Sequence, residues 1–102
     1  MYVGILTGPF SGDPLDHVAA FAGEYGFGGL EVVAGPGSKH IDTSAFGAEQ
    51  ADEVSSLMEK RNLQISAIAA YNNLTDADPE KRKANIQTVR SAIDAAALLN
   101  VD

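Results

Sequence analysis

The chain contains no cysteine, so neither a disulfide framework nor a thiolate metal site is open to it. Basic residues are scarce: seven Lys and Arg face fourteen Asp and Glu, for a formal net charge of −7. Such a balance repels phosphate backbones and argues against nucleic acid as the main partner. No run of about 18 apolar residues occurs, so no helical membrane span or membrane partner is expected. The opening "MYVGILTG" is apolar but breaks at Gly8-Pro9, which suits a buried strand better than a leader peptide. A cytoplasmic setting is expected. What remains is ordinary globular material, 45% apolar and 21% charged, in 102 residues that allow one domain at most.

Three similar units follow one another. In the first, "YVGILT" (2–7) reads as a strand buried on both faces. After the turn-rich "GPFSGDP", Asp13 is placed to cap a helix and Pro14 to occupy its first position. Leu15, Val18, Ala19, Phe21, Ala22 and Tyr25 then recur at helical spacing until Gly26. The second unit has a strand at "GLEVV" (29–33), a long loop, and a helix over 47–61 closed by Asn62. The third has a strand at "LQISAIAA" (63–70), the loop "YNNLTDA", and an Asp78-Pro79 helix start. Its stripe of Ile86, Val89, Ile93, Ala96 and Ala97 ends at Asn100-Val101.

The helix-stop junctions at Gly26-Phe27, Asn62-Leu63 and Asn100-Val101 stand 36 and 38 residues apart. A strand-loop-helix unit of that length implies parallel strands joined by crossover helices. On this reading Val101 opens a fourth strand that lies outside the 102 residues. A doubly wound nucleotide fold would show G-x-G-x-x-G or G-x-x-x-x-G-K-[ST] after its first strand, and "TGPFSGDP" matches neither. The strand ends carry "GPF", "GPGSKHID" and "YNN", polar and aromatic groups where a barrel places its chemistry. The expected fold is α/β: a partial TIM (β/α)8 barrel of three consecutive βα units with a parallel sheet.

"VGILTGPF", "FAGEYGFGGLEVV", "HID" and "ISAIAAYNNLTDADPEKRKANIQTVRSAIDAAALLNVD", taken in order, resemble the xylose isomerase-like barrels. These include sugar phosphate isomerases and epimerases. The resemblance covers essentially the whole chain. It implies an eight-unit barrel of about 250 residues, with residues 1–102 as its N-terminal segment, cut before strand 4. It also implies a divalent cation (Mn²⁺, Mg²⁺, Co²⁺ or Zn²⁺) gripping two substrate oxygens while a proton or hydride moves between carbons. In the family the ligands come mainly from later strands. No metal is therefore expected in these residues, and the segment alone is expected to be inactive. The implied partner is a small sugar or sugar phosphate.

Within the chain, Glu31 lies between apolar neighbours in a buried strand, so alternation aims it into the barrel. It could orient a substrate hydroxyl, or form an internal ion pair. His40 and Asp42 in "KHID" could serve as an acid-base pair, although two such residues are too few for a metal site. Tyr71, Asn72 and Asn73 offer neutral donors and acceptors suited to sugar hydroxyls, or else a turn in which the amides bond their own backbone. Phe10 could wall the apolar side of a sugar. Candidate substrate-binding residues are thus Phe10, Glu31, His40, Tyr71, Asn72 and Asn73, with the catalytic residues themselves unassigned.

Other readings share the scaffold, since a fold does not fix chemistry. Inosose-type dehydratases are one. Zinc-dependent abasic-site endonucleases are another, but their third strand ends in a metal-binding histidine and "ISAIAAY" has none. From a different class, the chain could be a non-catalytic partial barrel that self-associates into a homo-oligomer. Three parallel strands would leave open edges and an uncovered inner face with side chains such as Ile5, Val32 or Ile68.

Overall fold

The computed structural model describes residues 1–102 as a parallel α/β sheet with helices along one face. In chain order the elements are β1 (Gly4–Leu6), α1 (Leu15–Glu24), β2 (Gly29–Gly35), β3 (Ile41–Asp42), α2 (Ala48–Arg61), β4 (Gln64–Ala69) and α3 (Pro79–Leu98). β1 and β4 both pair in parallel with β2, and Gly4, Gly29 and Gln64 share one register row. No helix is long and apolar enough to cross a membrane.

The repeat is written into the backbone at the helix ends. Gly26, Asn62 and Asn100 all adopt positive φ (80°, 53° and 55°), the left-handed step that glycine and asparagine tolerate best. At each junction the next N–H reaches five residues back. Phe27 bonds to the carbonyl of Ala22, Leu63 to Met58 and Val101 to Ala96, each at 2.9 Å. This is the Schellman closure, which satisfies helix-end carbonyls and seats an apolar residue against the last turn. Starts vary more. Asp78 caps α3 through Glu80 N–H at 2.9 Å, as the sequence predicts. Asp13 does not cap α1. Its N–H closes a turn onto Phe10, and Pro14 itself takes the capping position without a side-chain bond.

Along β2 the alternation is clean. Leu30, Val32 and Ala34 are buried against the helices, while Glu31, Val33 and Gly35 take the other face. The core gathers Leu15, Ala19 and Ala22 from α1, Val54 and Met58 from α2, and Ala92 and Ala95 from α3 onto those strand residues. Ile5, Val32 and Ile68 are therefore on the helix face rather than the open inner face, correcting the expectation above.

β4 contains a feature that periodicity misses. Strict alternation would send Ile65 and Ile68 to opposite faces. A bulge opposite Leu30–Glu31 inserts Ser66, so Ile65 pairs with Leu30 and Ile68 with Val32, and both reach the core. Ser66 Oγ donates to the Leu30 carbonyl at 3.2 Å and stabilises the kink. A second addition is β3. The residues after "GPGSKH" pair with the last two residues of β2, where the sequence suggests only loop.

Candidate functional site

The open face of the sheet forms a shallow concavity of about 300 Å³, bordered by Tyr2, Leu6, Glu31, Ser66 and Ala67. Its one charged group is Glu31, aimed there because its neighbours Leu30 and Val32 are fully buried on the helix side. From the end of β4, Tyr71 reaches back and its hydroxyl donates to Glu31 Oε2 at 3.3 Å. Tyr71 is 70% exposed overall. Partial desolvation, then the Glu31 charge and the hydrogen bond, raises the phenol above its ordinary value of 10.0. The pair thus presents a carboxylate and a phenol oxygen side by side, both able to accept, with the one phenol hydrogen held by Glu31. That combination suits vicinal hydroxyls of a polyol.

The other candidates are held elsewhere. His40 is 7% exposed, and its ring closes a latch between two loops. Nε2 faces the carbonyl oxygens of Asp13 (2.9 Å) and Phe10 (3.2 Å), which only accept, so this nitrogen carries the hydrogen. In the neutral ring Nδ1 then accepts from the Thr7 hydroxyl at 2.9 Å, while Thr7 Oγ1 accepts from Val33 N–H at 3.0 Å. Lys39 Nζ adds a bond to the Gly12 carbonyl at 2.8 Å. Both ring nitrogens are engaged within the protein in this geometry, leaving neither free for a ligand.

Phe10 turns toward α1, its ring 5.5 Å from Phe21, which in turn lies 4.8 Å from Tyr25. Asn73 Oδ1 accepts from the N–H and hydroxyl of Thr75, both at 3.1 Å, and its carbonyl accepts from Asn85. Asn72 lies at 3.5 Å from Asn85. Asp42 is not paired with His40. Its Oδ1 accepts from Ser44 Oγ (2.6 Å), Gly37 N–H and Ser44 N–H, which together hold its carboxyl below the ordinary 3.8.

Of the six candidates, then, the structure brings Glu31 and Tyr71 together. Residue-type reasoning missed Ser66 and Tyr2. A lone serine in an apolar strand was a readable sign of the first. The paired Gly28-Gly29 was a sign of the second, because the Tyr2 ring lies on them: a Cβ on Gly29 would come within 2.3 Å of Tyr2 Cε2. No three His, Cys, Asp or Glu side chains converge to hold a metal, and Glu31 alone offers one oxygen ligand set. The residues of this chain therefore do not fit a divalent cation by themselves. A depression beside Arg82, Lys83, Gln87 and Arg90 is the open flank of one helix, without a second element to converge on a ligand.

Residues 19–102 match the family model of the xylose isomerase-like TIM barrel. No curated protein sequence matches the chain. Among solved structures it is similar to a D-psicose 3-epimerase from Clostridium cellulolyticum H10, determined with D-tagatose. The TM-score is 0.67 at 17% identity, over 99% of this chain and 35% of the epimerase. The chain thus spans about a third of that enzyme's length, and at this identity the likeness is one of fold. Parallel βα units, three matching Schellman closures and the family match lead to one conclusion: this chain belongs to the xylose isomerase-like TIM barrel family.

Proposed function

We propose that this chain supplies the first three βα units of a sugar or sugar-phosphate isomerase or epimerase. In this reading its inner face holds substrate rather than performing the bond rearrangement. The observation that carries the reading is the Glu31–Tyr71 pair on the open face of a family barrel sheet. A ketose bound there would donate one hydroxyl to the Glu31 carboxylate and a neighbouring one to the Tyr71 phenol oxygen, whose own hydrogen stays on Glu31. This fixes the orientation of two neighbouring carbons. The likeness to an epimerase solved with D-tagatose supports the substrate class.

The divalent cation of the family would stabilise negative charge on substrate oxygens when bound. Its ligands would come from groups outside these units, since no cluster here fits one. The segment alone is accordingly proposed to bind weakly and to be inactive.

The test is a titration of the isotopically labelled chain with D-tagatose, followed by amide chemical shifts. Shifts clustered at Glu31, Ser66 and Tyr71, and abolished by Glu31→Gln, support the reading. Shifts absent at millimolar sugar, or clustered at the His40 latch, overturn it.

A further inference from the structure

Tyr71 stands at the start of a loop that the main chain itself does not hold. β4 ends at Ala69 and α3 begins at Pro79, and residues 71–77 between them make no main-chain to main-chain hydrogen bond. Packing does not fix Tyr71 either, since its side chain is largely exposed. Ordering a loop backbone costs conformational entropy residue by residue, and here only side-chain bonds offset that cost.

Two side chains one turn apart on α3 attach the loop. Asn85 donates from Nδ2 to the Asn73 carbonyl at 2.9 Å and accepts at Oδ1 from Asn72 Nδ2 at 3.5 Å. Arg82 Nη1 donates to the Asp76 carbonyl at 2.9 Å. Residues three apart share a helix face, so both reach the same loop. The remaining bonds are internal to it: Thr75 to Asn73 Oδ1, and the Asp78 N–H to Asp76 Oδ1. They shape the turn without anchoring it.

Residue type matters at position 85. An amide carries a donor and an acceptor on one rigid plane, so a single side chain serves a carbonyl and a neighbouring amide together. Its two partners are the residues that immediately follow Tyr71. We infer that Asn85 is a positioning residue of the candidate site: by holding Asn72 and Asn73 against α3, it keeps the Tyr71 hydroxyl on the Glu31 carboxylate. Asn72 and Asn73 then serve the site through this attachment rather than by touching a sugar. The consequence for a bound sugar rests on the function proposed above; the loop geometry does not.

The test uses Asn85→Leu, which keeps the side chain's size and removes both polar groups. A Tyr2→Phe/Tyr25→Phe background leaves Tyr71 as the one tyrosine that titrates. Its midpoint should fall toward 10.0 while circular dichroism stays unchanged, since leucine suits a helix at least as well as asparagine. Combined with Glu31→Gln, the variant should titrate like Asn85→Leu alone, because a phenol that has left the carboxylate no longer senses it. Asn85→Ala, which adds no apolar surface, should give the same shift. An unmoved midpoint in the folded variants, or full additivity with Glu31→Gln, overturns the inference. Loss of the helical signal in both variants overturns it too, since Asn85 would then be a residue of the fold.

D-tagatose separates this inference from the reading beneath it. If the parent shows no shifts with the sugar while Asn85→Leu still moves the Tyr71 midpoint, the sugar reading fails and the positioning stands. If the parent binds, Asn85→Leu should weaken binding about fivefold, the worth of one ordinary hydrogen bond. Unchanged affinity in that case overturns the inference, because Asn85 would position nothing that the sugar uses.

Discussion

The Tyr71 hydroxyl, 40 residues from Glu31 in sequence, donates to its carboxylate at 3.3 Å from the end of a different strand. The contact joins the third βα unit to the second across the open face of the sheet. It is also the one place where the side chains of two of the six candidates hydrogen-bond each other; His40 meets Phe10 only through the Phe10 main-chain carbonyl.

This pair fixes the sign of a titration. The phenol of Tyr71 is raised above 10.0 by desolvation and then by Glu31, so Glu31→Gln should move it back toward 10.0. Ultraviolet absorbance of tyrosinate against pH, with Tyr2→Phe and Tyr25→Phe to isolate the band, measures this. An unchanged midpoint in Glu31→Gln would mean that the carboxylate does not act on the phenol.

The latch at His40 should behave as one unit. His40→Phe strands the Asp13 carbonyl and the Thr7 hydroxyl hydrogen, while the Phe10 carbonyl keeps the Asp13 N–H; Thr7→Val strands the Val33 amide and His40 Nδ1. Each should cost about 1–3 kcal/mol, the typical penalty for orphaned buried polar groups. The double variant should cost less than the sum by more than about 0.5 kcal/mol, since both act on one network. Urea midpoints of the four proteins give the comparison, and strict additivity would show two separate roles.

Two adjacent glycines should respond differently. A Cβ on Gly28 would lie 2.5 Å from Tyr2 Cβ, which is fixed to the backbone. On Gly29 it meets Tyr2 Cε2, the far end of a half-exposed ring that can swing outward. Gly28→Ala should therefore destabilise by about 1–3 kcal/mol, as overpacking does, and Gly29→Ala by less. Tyr2→Ala should rescue Gly29→Ala and leave the Gly28→Ala cost in place. The opposite ranking of melting temperatures would contradict the close approach.

Acid should loosen the turn at Asp42. Its carboxyl is held below 3.8 by Ser44 Oγ first, and then by the Gly37 and Ser44 amides. A depressed folded value means that the contribution is complete above the ordinary carboxylate range and fades as pH falls through the lower folded value. Protection of the Gly37 and Ser44 amides, taken relative to their intrinsic exchange rate at each pH, should fall only below about pH 4. In Asp42→Ala that protection should already be lost at neutral pH.

Much of the architecture was readable because it rests on local rules. Gly26, Asn62 and Asn100 were identifiable as helix stops since few residues tolerate positive φ, and the structure gives all three. Asp78 was readable as a cap since a carboxylate beside Pro79 has a local partner in the next turn. Asp13 sits before Pro14 in the same way and does not cap, because the loop it belongs to is bound by His40, 27 residues away. The Ser66 bulge and β3 were likewise hidden, since each is set by what the neighbouring β2 strand requires.

For the site, residue type and alternation alone placed Glu31 on the inner face, because its neighbours have to be dry. Type alone did not separate Tyr71, which meets Glu31, from His40, Phe10 and Asn73, which bond within their own surroundings. The order of elements, their parallel sense and the period of the units were properties of the chain itself, since turn stereochemistry and hydrophobic period act over a few residues. Which polar groups meet across 30 or 40 residues was decided only when the strands took up their register. A hydrogen bond depends on positions in space that no short stretch of sequence specifies.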